Sequence, residues 1–188
     1  CLYARKYRID GGFSVKDVLV VIDMQNDFVS GSLGTKEAQA IVQNAVKKIE
    51  SFKGHIVFTQ DTHPSSYLQS QEGTFLPVQH CIKNTAGWEL VEPVKKLIIG
   101  QVYEKPTFGS LSLAEALKNL NKKTPIHSIT LIGLCTDICV VSNALLLKAF
   151  FPEVPIHVDA ACCAGTTPEN HKAALQVMRM CQIIIENE

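Results

Sequence analysis

The sequence lacks an excess of charge of either sign, since 18 Lys and Arg balance 18 Asp and Glu. Its basic residues occur in scattered pairs and form no continuous stripe, which argues against nucleic acid as a partner. It also lacks any apolar run near the ~20 residues that cross a bilayer, and no apolar signal segment follows the basic residues near its start. We therefore predict a soluble cytoplasmic protein that binds neither nucleic acid nor membrane.

The cysteines form neither a disulfide framework nor a zinc ribbon. Their number, seven, is odd. Cys135 and Cys139 are separated by three residues, and the adjacent pair Cys162 and Cys163 has no counterpart elsewhere. This pattern favours a reducing compartment. The chain also lacks acidic or proline-rich tracts, and its hydrophobic content of 46% is typical of a packed globular domain.

Short apolar segments alternate with amphipathic helical patterns along most of the chain. Thr35 is a good N-cap for a first helix, residues 112–115 form a capping-box pattern, and Thr166 to Glu169 open a last helix. The alternation predicts one α/β domain over residues 17–188, with a mostly parallel sheet and helices on both faces. Residues 1–16 have no clear periodicity and are interpreted as an N-terminal extension without assigned function. The predicted strands cover residues 17–22, 55–60, 102–105, 129–132, 155–159 and 182–185.

Residues with useful chemistry follow the predicted strands. In a parallel sheet, ligands bind beyond the carboxyl ends of the strands. Asp23 ends an apolar strand, where burial would raise its pKa and make it a usable base, although a turn or cap acid is an equal alternative. Cys139 begins a helix pattern, where the free N–H groups and the dipole favour a thiolate. Taken alone, Cys139 is more often a buried structural thiol, and Lys105 an ordinary surface lysine.

A second group of candidates lies in the long stretch of weak periodicity after the second strand. Asp61, His63, Glu72 and His80 supply two carboxylates and two imidazoles, which suit a borderline divalent cation such as zinc, iron or manganese. From spacing alone, solvated surface residues are the more common interpretation. An irregular stretch of this length in a compact domain is nevertheless usually functional.

Four motifs in order resemble those of the nicotinamidases and isochorismatase-like cysteine hydrolases, from residue 18 to about residue 185. The resemblance implies a Rossmann-like three-layer fold, a catalytic triad of Asp23, Lys105 and Cys139, and a cis peptide before Cys135 that turns the N–H groups of Cys135 and Cys139 toward one point as an oxyanion hole. The motifs are Val21-Ile-Asp-Met-Gln-Asn-Asp-Phe28, Thr59-Gln-Asp-Thr-His63, His80-Cys81 with Asn84-Thr-Ala-Gly87, and Gly133-Leu-Cys-Thr-Asp-Ile-Cys-Val140.

The same resemblance implies a metal bound by Asp61, His63 and His80. Family members take a further protein ligand either six or nine residues after the first histidine. Here those positions are Gln69, a poor ligand, and Glu72, so we predict Glu72. One divalent ion per chain is expected, with zinc preferred over iron or manganese.

The sequence departs from the family just before His80, where Leu76 replaces a Trp that many nicotinamidases have and one extra residue is present. The aromatic residue that stacks on the substrate ring is therefore sought elsewhere. Phe28, which matches the family aromatic after Asn-Asp, and Phe108 are the first candidates, with Phe75 as a third.

The resemblance implies hydrolysis of nicotinamide to nicotinate and ammonia through a Cys139 thioester. Two alternatives stay open at this point. One is a hydrolase of the same superfamily that acts on isochorismate, a carbamoyl amide or a ureido compound, relatives that generally lack the metal ligands. The other is a catalytically silent binding or scaffold module. Whether the chain forms a homo-oligomer is also open.

Overall fold

A computed structural model describes residues 16–188 and contains a sheet of six parallel strands. Their order across the sheet is β3-β2-β1-β4-β5-β6. This confirms the predicted parallel α/β domain. The predicted extension lies outside the described residues, apart from Lys16, which begins the first strand. The strands are β1 Lys16–Ile22, β2 His55–Asp61, β3 Val102–Lys105, β4 Ile126–Leu134, β5 Ile156–Ala164 and β6 Ile184–Glu186.

Helices cover both faces of the sheet, as predicted. Alternate residues of a strand face opposite sides, so Val20 packs with the last three helices and Leu19 packs with the second helix. Within the described chain, no helix is both long enough and apolar enough to span a membrane. The helices are α1 Asn26–Val29, α2 Lys36–Ser51, α3 Gln71–Phe75, α4 Glu92–Lys95, α5 Leu111–Lys123, α6 Val141–Phe150 and α7 Pro168–Met180.

All six predicted strands are present. β3 has the predicted ends, whereas the other five strands differ from their predictions at one or both ends. β4 and β5 extend beyond the apolar runs that predicted them, because their outer residues pair with neighbouring strands. The stretch after β2 is less irregular than expected. It contains α3, α4 and a 3₁₀ turn at Tyr67–Gln69, which are too short to produce a helical periodicity.

Two helix starts differ from their predictions. α5 begins at Leu111, with Ser110 as its N-cap, and not at the capping-box pattern of residues 112–115. α7 is capped by Thr167 and not by Thr166. Thr35 caps α2 as predicted, since its hydroxyl accepts a hydrogen bond from the N–H of Ala38.

The chain reverses its direction of progress across the sheet between β1 and β4. After β1 it proceeds outward to β2 and β3, and then returns to β4 on the other side of β1. Such a switch point leaves a crevice at the carboxyl ends of the two central strands. Gly133 lies there with φ 118°, and a Cβ at this residue would lie 2.0 Å from the carbonyl oxygen of Ile22. Glycine therefore allows β4 to approach β1 closely beside the crevice.

Candidate active site

The three residues of the predicted triad meet in the crevice at the carboxyl ends of the strands. Lys105 Nζ lies 2.7 Å from Asp23 Oδ2 and 3.3 Å from Cys139 Sγ. Asp23 and Lys105 come from the ends of β1 and β3, and Cys139 from the turn after β4. All three side chains are almost completely buried. Their catalytic roles stay predictions, but the tertiary structure does bring them together.

Two further contacts complete the surroundings of the Lys105 ammonium group. It donates hydrogen bonds to Asp61 Oδ1 and to the carbonyl oxygen of Thr107, both at 3.1 Å. Burial opposes its charge, but the nearby Asp23, Cys139 and Asp61 outweigh this and raise the pKa of Lys105. Lys105 is thus a buried, permanently charged cation between two carboxylates and a thiol.

Asp23 has an unusual backbone as well as an unusual environment. Its φ of 44° lies in the left-handed region, which non-glycine residues seldom adopt outside turns and functional sites. The Thr59 hydroxyl donates to Asp23 Oδ1 at 2.6 Å. Burial raises the pKa of Asp23, and the charge of Lys105 opposes that effect only in part. The direction agrees with the expectation from sequence.

The environment of Cys139 differs in one respect from its own sequence prediction, which was a helix start that favours the thiolate. Cys139 lies in a π-helical turn, Thr136–Val140, that precedes α6. Burial, followed by the charge of Asp23, raises the pKa of the Cys139 thiol well above its usual value, although Lys105 opposes this. Withdrawal of the side chain from water is the largest of these effects. The thiol needs a base to become a nucleophile.

The backbone around Cys139 agrees with the geometry implied for an oxyanion hole. The peptide bond between Leu134 and Cys135 is cis, as the resemblance implied. The carbonyl oxygen of Cys135 accepts hydrogen bonds from the N–H groups of Ile138 and Val140, at 3.1 and 3.0 Å, and none from the N–H of Cys139 between them. The N–H of Cys139 therefore does not donate to the carbonyl oxygen that the two neighbouring N–H groups share.

Three of the predicted metal ligands form one buried group. One ligand atom each from Asp61, His63 and His80 can be chosen so that all lie within 4.8 Å of one another. His63 Nε2 is 2.9 Å from Asp61 Oδ2 but makes no hydrogen bond within the described chain. A buried imidazole nitrogen without a partner, beside a carboxylate, fits a place for a cation.

Glu72 and the orientation of His80 complete this donor set. Glu72 Oε1 lies 3.6 Å from the Nε2 atoms of both His63 and His80. His80 Nδ1 lies 2.9 Å from the carbonyl oxygen of Val78. That contact keeps the hydrogen on Nδ1 and leaves the lone pair of Nε2 for a metal. The residues present therefore fit a divalent cation with two nitrogen and two carboxylate donors.

A cavity of about 430 Å³ opens onto both groups of residues. Cys135 and Cys139 line it together with Asp61, Glu72 and His80. The three predicted aromatic residues also line it, but they differ in burial. Phe28 is 7% exposed, whereas Phe108 and Phe75 are 45% and 83% exposed. Phe28 is therefore an inner wall, and the other two lie at the mouth. Leu33, Thr35, Leu76, Ile138 and Thr166 complete the lining.

Several residues at the site were not found by sequence reasoning. Thr59 contacts Asp23, and Tyr67 packs its ring against both His63 and His80, with ring centres 4.8 and 4.9 Å away. Gln25 contacts the backbone of Asp61. Thr59 and Gln25 lie within quoted motifs, so the signal was available for these two. Tyr67 has no comparable signal.

The chain is similar in sequence and in fold to several known proteins. The isochorismatase domain family matches residues 17–188. A nicotinamidase of Schizosaccharomyces pombe is 22% identical over 211 residues, covering 93% of this chain and 94% of its own. The structure of a pyrazinamidase of Pyrococcus horikoshii in complex with zinc is 25% identical with a TM-score of 0.77, covering 92% of this chain and 99% of its own.

A relative that is named for a different activity is about as similar. The structure of an N-carbamoylsarcosine amidase from Thermoplasma acidophilum is 27% identical with a TM-score of 0.73, covering 92% of this chain and 96% of its own. Overall likeness therefore does not distinguish between these substrates.

Proposed function

Because the chain belongs to the isochorismatase family, we propose that it is an amide hydrolase that converts nicotinamide to nicotinate and ammonia. The observation that carries this proposal is the buried contact of Cys139, Lys105 and Asp23 beside a cavity that is lined by Cys139 and by the ligand candidates Asp61, Glu72 and His80. The names of the pyrazinamidase and nicotinamidase relatives support the choice of substrate. The free cysteines of residues 16–188 support a cytoplasmic location.

In the first step, Asp23 accepts the proton of the Cys139 thiol. The raised pKa of Asp23 suits a base that works near neutrality. Lys105, whose Nζ lies 3.3 Å from Sγ, stabilises the thiolate as it forms. The thiolate then attacks the amide carbon of the substrate, forming a carbon–sulfur bond.

In the second step, the N–H groups of Cys135 and Cys139 hold the oxyanion of the tetrahedral intermediate. One such donor is worth about 3 kcal/mol of barrier in other enzymes. The carbon–nitrogen bond breaks and Asp23 returns its proton to the departing ammonia. Asp23 next takes a proton from water, which attacks the thioester. The carbon–sulfur bond then breaks and the Cys139 thiolate takes back the proton held by Asp23. The acid product loses its own proton to solvent and leaves as nicotinate.

Asp61, His63, Glu72 and His80 would hold the divalent ion, with zinc as the first choice. When bound, the ion supplies a Lewis acid that orients the pyridine nitrogen of the substrate. Phe28 packs beside His80, with ring centres 5.6 Å apart, and so offers an apolar surface to the ring. Correct placement of the amide carbon is the main contribution of these side chains.

The proposal is tested by measuring ammonia release from nicotinamide. Cys139→Ala should reduce kcat/KM by at least about 10³-fold, because the nucleophile is lost. Cys135→Ala is the matched control. It should keep most of the activity, because only the backbone N–H of Cys135 has a proposed role. A Cys139→Ala protein that releases ammonia at the wild-type rate would disprove the thioester mechanism.

A second candidate is hydrolysis of a carbamoyl amide, favoured by the likeness to the N-carbamoylsarcosine amidase. The same protein preparation separates the two candidates. Nicotinamide hydrolysis together with stoichiometric bound zinc supports the first. Turnover of N-carbamoylsarcosine without bound metal supports the second.

A further inference from the structure

The side-chain amide of Gln25 contacts both backbone polar groups of Asp61. Gln25 is fully buried. Its Oε1 accepts a hydrogen bond from the Asp61 N–H at 2.8 Å, and its Nε2 donates to the Asp61 carbonyl oxygen, also at 2.8 Å. A primary amide has one acceptor and two donors, so it can bond to one residue of a strand as a neighbouring strand would.

The contact occurs where a strand partner is missing. β1 pairs with β2 from Val18 to Val21, and the pairing ends at Phe58. β2 continues for three more residues, to Asp61, along the side where β1 has already ended. Its other side is paired with Lys105 of β3. The Gln25 amide therefore takes the place of β1 beside Asp61.

Asp61 is the residue through which the two halves of the site meet. Its Oδ1 lies 3.1 Å from Lys105 Nζ, and its Oδ2 lies 2.9 Å from His63 Nε2. A small rotation or shift of the Asp61 backbone would change both distances. Without the Gln25 amide, a buried N–H and a buried carbonyl oxygen would lose their partners, which favours such a shift.

We propose that Gln25 is a positioning residue that holds the Asp61 carboxylate in place for both the divalent metal ion and Lys105. The inference rests on the proposed function for its metal site, but it concerns zinc binding and not turnover. Residues that orient metal ligands typically change metal affinity by about 10- to 100-fold when they are replaced. Gln25 differs from such residues in acting on the backbone of the ligand and not on its side chain.

Gln60 offers a matched control, because it shares with Gln25 a hydrogen bond to the backbone of Trp88. Like Gln25, it is buried, and its Nε2 donates to the carbonyl oxygen of Trp88 at 2.8 Å. Gln25 Nε2 donates to the same oxygen at the same distance. Gln60 makes no side-chain bond to the backbone of Asp61 within the described chain. A role confined to anchoring Trp88 would therefore give the same result for both glutamines.

The experiment compares Gln25→Met and Gln60→Met, which keep side-chain size and remove hydrogen bonding. Zinc affinity of the metal-free proteins is measured by isothermal titration calorimetry, and thermal unfolding reports folding. We expect zinc binding at least tenfold weaker for Gln25→Met and within threefold of wild type for Gln60→Met. If Gln25→Met does not fold, Gln25→Glu replaces it, since it keeps one acceptor toward Asp61 but neither donor, and at least tenfold weaker binding is again expected.

A loss of less than tenfold for the folded Gln25 variant, or equal losses for Gln25→Met and Gln60→Met, would overturn the inference. Failure of the proposed function is distinguishable from this outcome. A wild-type protein that binds zinc but does not hydrolyse nicotinamide would refute the function and leave the role of Gln25 intact. Unchanged zinc affinity in an active Gln25→Met protein would refute only the role of Gln25.

Discussion

The two ends of β1 carry aspartates with opposite electrostatic properties. Asp17 lies at the amino end, where its side chain is 46% exposed and its Oδ1 contacts Ser128 Oγ at 2.7 Å and His127 Nδ1 at 2.9 Å. Asp23 lies at the carboxyl end and is fully buried beside Lys105. Burial raises the pKa of Asp23 overall. At Asp17 burial is the largest single influence and acts to raise the pKa. The contacts with Ser128 and His127 together outweigh it, so the pKa of Asp17 is lowered.

The difference shows that the two ends of one strand place a carboxylate in opposite environments, exposed at the amino end and buried at the carboxyl end. At the amino end, water and nearby donors satisfy the carboxylate, so its charge favours the folded state weakly. At the carboxyl end, loops and helices exclude water, and the charged form of Asp23 costs stability that neighbouring groups must offset. Because burial disfavours its charged form, Asp23 accepts a proton more readily than an exposed carboxylate does.

The largest expected effect comes from removing the buried cation. Lys105→Met leaves Asp23 and Asp61 without their counter-ion in a dry site, and breaking a buried pair in this way costs about 3–5 kcal/mol of unfolding free energy. Activity should also be lost. Urea denaturation at pH 7 measures the stability change.

Lys83→Met is the control for the Lys105 experiment. Lys83 pairs with Glu104 at the surface, where both side chains are more than 40% exposed. Such pairs contribute less than about 1 kcal/mol. Equal stability losses for the two variants would contradict the contrast between buried and exposed charge.

The next effect concerns the metal site at the same end of the sheet. Asp61→Asn should weaken zinc binding by at least about tenfold and reduce ammonia release accordingly, because a neutral amide is a poorer ligand. Asp159→Asn is the control. Asp159 is equally buried and pairs with Lys48 at 2.7 Å, away from the ligand group. Zinc affinity that depends on Asp159 as strongly as on Asp61 would exclude this site.

The smallest effect is expected at Asp17. Its lowered folded-state pKa means that its contribution is complete above the unfolded pKa of ~3.9 and is lost as the pH falls through the folded pKa. Asp17→Asn should therefore lower the unfolding free energy by less than about 1 kcal/mol at pH 7, because the pair is exposed and screened. The difference from wild type should shrink as the pH falls below ~3.9, and ammonia release at pH 7 should not change.

Sequence patterns predicted the strands, and the edge of the sheet where the candidate site residues gather, better than the helix starts. Asp23, Asp61 and Lys105 each lie at the end of a predicted strand, so the parallel arrangement alone predicts that they share one edge. The predicted start of α5 was wrong because both Ser110 and Ser112 are residues that favour the N-cap position. The choice is made by a distant residue, since Asn143 Oδ1 accepts the N–H of Ser110 at 2.9 Å.

The predicted start of α7 was also wrong because a residue distant in sequence decides which threonine caps the helix. Asp137 of the π-helical turn accepts hydrogen bonds from both the N–H and the hydroxyl of Thr166, at 2.8 and 2.5 Å. Thr166 is thereby held outside the helix, and Thr167 becomes the N-cap. Asp137 lies 29 residues before Thr166 in sequence, so local propensity could not have distinguished the two threonines.

The sequence by itself determined the alternation of strands and helices, and with it the edge of the sheet at which the reactive side chains gather, because periodicity and strand direction are local properties. Only the tertiary structure decided the charge states there. The Cys139 thiol has a raised pKa because burial and the charge of Asp23 outweigh the charge of Lys105. The place of Asp61 likewise depends on the Gln25 amide, which reaches it across 36 residues of sequence. Desolvation and long-range hydrogen bonds arise only once the chain has folded.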